Sequence, residues 1–173
     1  AFHDYAGEPE TMAALRERYP GVGMHITERS TYNIEGADRL LQYFRQGAET
    51  YNAWLIFLDE KGEPAMGPLD GSNPPQPVRS PHGKPEQWYL TVDYYFYSQI
   101  SRFVQRGARV AVSDYGSRDT VTNVVFVNPD GSRVIYVVNQ TDEPQSFSFQ
   151  LGGQQLDDRL PARTAGTYIC GNL

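Results

Sequence analysis

The chain has 173 residues, with 15 Lys and Arg against 21 Asp and Glu, a formal net charge of −6. That length suits one domain, or one small domain with part of another, and is too short for a complete (β/α)8 barrel of about 250 residues. Hydrophobic residues at 39% and charged residues at 21% give a globular composition. The acidic balance argues against a phosphate-backbone partner, and a single cysteine, Cys170, rules out an intrachain disulfide framework and a Cys-rich zinc site.

No apolar run approaches the roughly 18 residues of a membrane helix. The chain starts at Ala1 with no Met, so the absence of a signal peptide bears little on compartment. The 12 Tyr, 8 Phe and 2 Trp fit either a β-rich core or a surface that stacks on sugar rings, and composition favours the core.

The first third alternates strand and helix. Ala1–Tyr5 is short and apolar-aromatic, and Gly7 and Pro9 break it. Glu10–Tyr19 reads as a helix with Met12, Leu15 and Tyr19 on one face, stopped by Pro20 and Gly21. Val22–Thr27 reads as a buried strand. Glu35–Ala48 reads as a helix with Leu40, Leu41, Phe44 and Ala48 on one side, and Tyr51–Leu58 as a second buried strand. Unalternating apolar strands separated by helices predict a parallel sheet covered on both faces. Asp59–Glu86 holds seven of the twelve prolines and reads as a long loop. Gln87–Gln105 reads as an aromatic-rich helix ending at Gly107.

From Arg109 the hydrophobic period changes to two. Arg109–Asp114, Thr120–Asn128, Ser132–Gln140, Gln145–Leu151 and Ala162–Cys170 read as strands, and Asn128–Gly131 as a hairpin turn. Short strands with regular turns predict an antiparallel sandwich. The chain is thus expected to be α/β first and all-β second, changing near Ala108, with no internal repeat.

In parallel α/β folds the site lies at the carboxyl ends of the strands. The ends legible here carry His3 and Tyr5, then Thr27-Glu28-Arg29-Ser30, then Trp54 with Asp59. A charged side chain ending an apolar strand must find partners or water. Glu28 is therefore either a carboxylate paired with Arg29 or a neighbouring helix, or a catalytic group converging with His3, Tyr5 and Trp54. The second arrangement suits glycoside hydrolysis, in which one carboxylate attacks the anomeric carbon and an acid protonates the leaving oxygen. Other constellations are weaker. His3, His25 and His82 have no metal-ligand spacing, and His25 reads as packed or hydrogen-bonded. Gly21-Val-Gly23 follows a helix instead of a strand, and Ser30 lacks a nucleophile-elbow pattern. Asn139-Gln-Thr141 fits a glycosylation sequon, and Asp157-Asp158 reads as a solvated turn before a calcium site.

His3-Asp-Tyr5, Tyr19-Pro20, Thr27-Glu28, Trp54–Pro64, Tyr95–Gly107 and Asn128–Ser132, in that order, resemble the C-terminal part of glycoside hydrolase family 30, the glucosylceramidase-type retaining β-glycosidases. The resemblance implies that residues 1–107 are barrel strands six to eight of a (β/α)8 TIM barrel with their helices, and residues 108–173 an antiparallel β-sandwich. It implies Glu28 as the catalytic nucleophile, His3 and Tyr5 as supporting or sugar-binding residues, and Trp54 as a wall of the subsite. It implies no metal or organic cofactor, and a β-linked glycoside or glycolipid as substrate, with sphingolipid metabolism among its settings. It favours a secreted protein. The family places its acid/base Glu after the fourth barrel strand, commonly as Asn-Glu-Pro. The three Glu-Pro pairs here (Glu8-Pro9, Glu63-Pro64, Glu143-Pro144) lack the Asn and stand elsewhere, and Leu55 stands where Asn is common. The chain is accordingly expected to be inactive alone, with the missing N-terminal barrel segment as its candidate partner. The competing reading is a non-catalytic carbohydrate-binding or structural sandwich module.

Overall fold

The computed structural model describes residues 1–29, 31, 33–53, 57–59, 78–80 and 89–171. The first unit is a parallel three-stranded sheet in the order β1 (Phe2–His3), β2 (His25–Glu28), β3 (Thr50–Tyr51). Between its strands run helices α1 (Glu10–Arg18) and α2 (Asn33–Arg45). Helix α2 forms because Ile34, Ala37, Leu40 and Leu41 recur at helical spacing, and all four are buried. Helix α1 buries only Met12, which joins Met24, Ile26, Tyr43 and Ala48 in a small core beneath the sheet.

Several boundaries differ from the sequence reading. Strand β2 starts at His25 rather than Val22. Val22 is 63% exposed in the Gly21–Gly23 turn that leaves α1, and Met24 is the first buried residue. The apolar run 51–58 is divided: β3 pairs with β2, whereas β4 (Phe57–Asp59) pairs with β5 (Val78–Ser80) in another sheet. Val78–Ser80 therefore lies in a strand within the proline-rich stretch, paired parallel to β4 and antiparallel to β6 (Tyr89–Leu90). The rest of that stretch, and Trp54, lie outside the described residues. The helix expected from Gln87 is α3 (Val92–Ser101), opened by Thr91 in an extended conformation.

After Gly107 the chain enters a four-stranded antiparallel sheet in the order β12 (Thr164–Cys170), β9 (Arg133–Asn139), β8 (Thr122–Val127), β7 (Arg109–Val110). The hairpin β10 (Gln145–Leu151) and β11 (Gln154–Leu160) forms the second layer. Strand β9 is buried on both faces, which explains its unbroken apolar run. Val134, Tyr136 and Val138 point at α2 and α3, while Ile135 and Val137 point at Phe147, Phe149, Leu160 and Tyr168. The Asn128–Gly131 turn forms as read: the Gly131 N–H donates to Asn128 O at 2.9 Å, and Gly131 takes φ +85, a conformation that favours glycine.

Two further expectations are corrected, and the Asn139 sequon finds a structural role. The strand at Arg109–Asp114 stops at Val110. Asp157 and Asp158 lie in β11 and not in a turn, and Asp158 accepts a 2.7 Å hydrogen bond from Tyr168 OH. Asn139 of the sequon is fully buried. Its amide donates to Glu143 O and Pro161 O, both at 2.8 Å, and its Oδ1 accepts from Thr141, so in the folded chain it is a structural hub and no glycan acceptor.

Candidate active site

Parallel pairing sets the site. The Cα register matches Phe2 with Ile26 but His3 with Glu28, an irregularity that brings the last residues of β1 and β2 level at their carboxyl ends. Strict alternation from the Phe2–Ile26 pair would separate His3 from Glu28, and the extra residue in β2 at this step is what lets them meet. His3 Nδ1 stands 3.6 Å from Glu28 Oε2, with the histidine side chain 44% exposed and the glutamate 15%. Glu28 is thus sheltered but not sealed off, beside a half-exposed histidine. Tyr5 meets His3 edge-on, with ring centroids 5.6 Å apart, and is 76% exposed, leaving its ring free for a ligand. The structure therefore brings His3, Tyr5 and Glu28 into one neighbourhood, while Trp54 is outside the described residues. His25, at the start of β2, bonds Thr50 Oγ1 at 3.0 Å and takes no part.

Just past the same strand ends lies a feature that sequence reading missed. The Asp4 carboxylate, 6% exposed, lies 2.8 Å from Arg29 Nε as an ion pair and accepts a hydrogen bond from Arg39 Nη2 at 3.0 Å. Arg39, from α2, also donates to Gly7 O and pairs with Glu8. Burial alone would push the Asp4 carboxyl up, but the hydrogen bonds from Arg39 and Tyr43 and the Arg29 charge outweigh it and hold it below the ordinary carboxylate range. Arg29 thus has Asp4 as a partner. The backbone beside it is fixed as well: Tyr97 OH of α3 donates to Arg29 O at 3.2 Å and accepts from Thr31 N at 3.0 Å. Below, Thr31 Oγ1 donates to Asp93 at 2.7 Å, with both residues buried.

A groove of about 1780 Å³ lies elsewhere, between β3 and its flanking residues 48–53, the end of α2, α3 and residues 104–113, with Phe44, Tyr51, Ile100 and Phe126 among its walls. It includes neither His3 nor Glu28. Volume alone would select that groove, and strand-end chemistry selects the carboxylate instead. Among the described residues no group of three His, Cys, Asp or Glu is placed to hold a metal ion, and no helix is long and apolar enough to cross a membrane.

Comparison with known proteins agrees with this architecture. Residues 108–168 match the glycosyl hydrolase family 30 beta sandwich domain. No curated protein matches the chain. Among solved structures, SrfJ from Salmonella typhimurium superimposes with a TM-score of 0.85 at 22% identity, covering 99% of this chain and 40% of that one. An endo-beta1,6-glucanase gives 0.83 at 17% identity, again with 99% and 40% coverage. A GH30 endoxylanase from Clostridium papyrosolvens gives 0.67 at 15% identity, with 99% and 48% coverage. The chain thus spans less than half the length of these relatives, and at such identities the likeness is one of fold. Residues 108–168 thus match the glycosyl hydrolase family 30 beta sandwich domain, and the chain as a whole shares the fold of the corresponding part of these solved structures.

Proposed function

We propose that the chain is the C-terminal part of a retaining β-glycoside hydrolase, with residues 1–107 the end of a (β/α)8 barrel and Glu28 its nucleophile. The observation that carries this reading is the sheltered Glu28 carboxylate at the carboxyl end of a parallel strand, 3.6 Å from His3 and beside the open ring of Tyr5. Glu28 attacks the anomeric carbon. The leaving oxygen takes a proton from an acid in the preceding part of the protein, about 5–5.5 Å from Glu28. The acid, now deprotonated, then takes a proton from a water whose oxygen attacks the anomeric carbon, breaking its bond to Glu28, which releases the sugar and regenerates the carboxylate. His3 orients the carboxylate, Tyr5 contacts the sugar, and Trp54 walls the subsite. The substrate is a β-linked glycoside. The solved neighbours carry the names endo-beta1,6-glucanase and endoxylanase, so β-glucans and xylans belong beside β-glucosides and glucosylceramide in the assay.

In the longer protein, Glu28→Gln should lower turnover by orders of magnitude while leaving the unfolding midpoint unchanged. A 2-deoxy-2-fluoro-β-glycoside should label the wild type on the peptide that contains Glu28. Near-wild-type turnover in the variant, or a label on another carboxylate, would overturn the assignment. The chain by itself should hydrolyse none of these substrates. The sandwich-module alternative has less support: from residue 108 to 171 the large apolar side chains left exposed are Val110, Val112, Leu156 and Ile169, none of them an aromatic platform for a sugar.

A further inference from the structure

We propose that Asp4 is a positioning residue for the nucleophile: its clamp on Arg29, just past the strand ends, holds His3 and Glu28 in register. The inference rests on the glycosidase reading and adds a residue to it. His3 and Glu28 close β1 and β2 and stand 3.6 Å apart, and the next residue of each chain segment, Asp4 and Arg29, forms a second pair at 2.8 Å just past the strand ends. The two pairs differ in what surrounds them.

The His3–Glu28 pair is loose, because 3.6 Å exceeds hydrogen-bond range and His3 is 44% exposed. The Asp4–Arg29 ion pair is closer and more sheltered. It is also anchored to α2, through Arg39, whose two nitrogens straddle the Asp4 carboxylate at 3.3 and 3.0 Å. The register shifts between Phe2 and His3, so the backbone pairing that ends at His3 and Glu28 is irregular at this step. The adjoining ion pair then helps set how far β2's end, and with it the Glu28 carboxylate, stands from His3. The Tyr97 hydroxyl then holds the Arg29 carbonyl, so slack in the clamp passes directly to the residue after Glu28.

The test is kinetic and uses the longer active protein. Asp4→Asn keeps the volume and removes the charge. It should lower kcat about 10- to 100-fold, the effect of a misplacement of about 1 Å, with KM within about threefold. Arg29→Gln, which leaves Asp4 paired with Arg39, should lower kcat in the same direction, and Arg29→Lys should recover part of the loss. A structural role alone would reduce the folded fraction without changing kcat per folded molecule. Wild-type kcat in folded Asp4→Asn and Arg29→Gln, or a rise in KM at constant kcat, overturns the clamp. If Asp4→Asn does not fold, Arg29→Gln decides by the same criterion. Failure of the underlying reading is separate, since it appears as activity surviving Glu28→Gln.

Discussion

Asp38 is 2% exposed, and its carboxylate accepts from four side chains: Gln42 at 2.6 Å, Thr122 at 2.7 Å, Tyr115 at 2.8 Å and Arg118 at 3.1 Å. A buried carboxylate is tolerated when its lone pairs are filled in this way. The cost reappears on a partner. Burial, and then the Asp38 charge, push the Tyr115 hydroxyl from 10.0 up to about 12, against the opposing pull of Arg118. In the folded chain the phenol therefore keeps its proton between pH 10 and 12, where the unfolded chain releases it. The folded state binds more protons there, so Tyr115's contribution is fully present below pH 10 and is lost as pH rises through about 12. Urea midpoints measured from pH 9 to 12 should fall less steeply for Tyr115→Phe than for the wild type. The variant should start from a lower midpoint at pH 8, because Asp38 loses a donor. Equal slopes would show that the phenol titrates alike in both states.

Helix α2 approaches the loop after the candidate nucleophile so closely that only glycine fits at position 36. A Cβ there would stand 2.8 Å from the carbonyl carbon of Thr31 and 2.9 Å from its Cα. Helix propensity favours alanine over glycine by about 1 kcal/mol. A backbone clash cannot rotate away, and overpacking costs about 1–3 kcal/mol. Gly36→Ala should therefore lower stability on balance, and its amide shift changes should centre on residues 29–31. A stabilised variant would mean that the loop yields freely. Legibility also divides at this scale. Strand β9 and helix α2 were readable because burial writes itself into sequence as apolar periodicity. Strand β11 was not: six of its seven residues are exposed, so Gln154–Leu160 carries no apolar pattern and its pairing with β10 rests on backbone bonds. The neighbourhood of His3 and Glu28 could be anticipated because each ends an early strand. The Asp4 clamp could not, because it depends on how α2 presents Arg39, thirty-five positions away.

For the molecule as a whole, the change of pattern near Ala108 marks a change of element type, while the packing runs across it. One core cluster joins Ile34, Leu40, Leu41, Phe96 and Ile100, before that position, to Val124, Phe126, Val134, Tyr136 and Val138 after it. Polar contacts cross at several points: Asp38 to Thr122, Arg45 Nη2 to Ser113 O at 2.6 Å, Gln99 Nε2 to Ala165 O at 3.0 Å, and Gln105 Nε2 to Asp130 at 2.6 Å. Neither side can bury its apolar face without the other. A sheet stripped of α2 and α3 would expose the Val124, Phe126, Val134, Tyr136 and Val138 face, a patch of the kind that drives association. We therefore expect these parts to unfold together. Scanning calorimetry on the chain should give a single transition whose calorimetric and van't Hoff enthalpies agree. Residues 108–173 produced alone should lack a cooperative transition and aggregate, and mixing with residues 1–107 should not restore one unless both are refolded together. Two resolved transitions in the intact chain, or a monodisperse and cooperatively melting 108–173, would show that the sandwich is an independent domain and that the shared core contributes little to holding it.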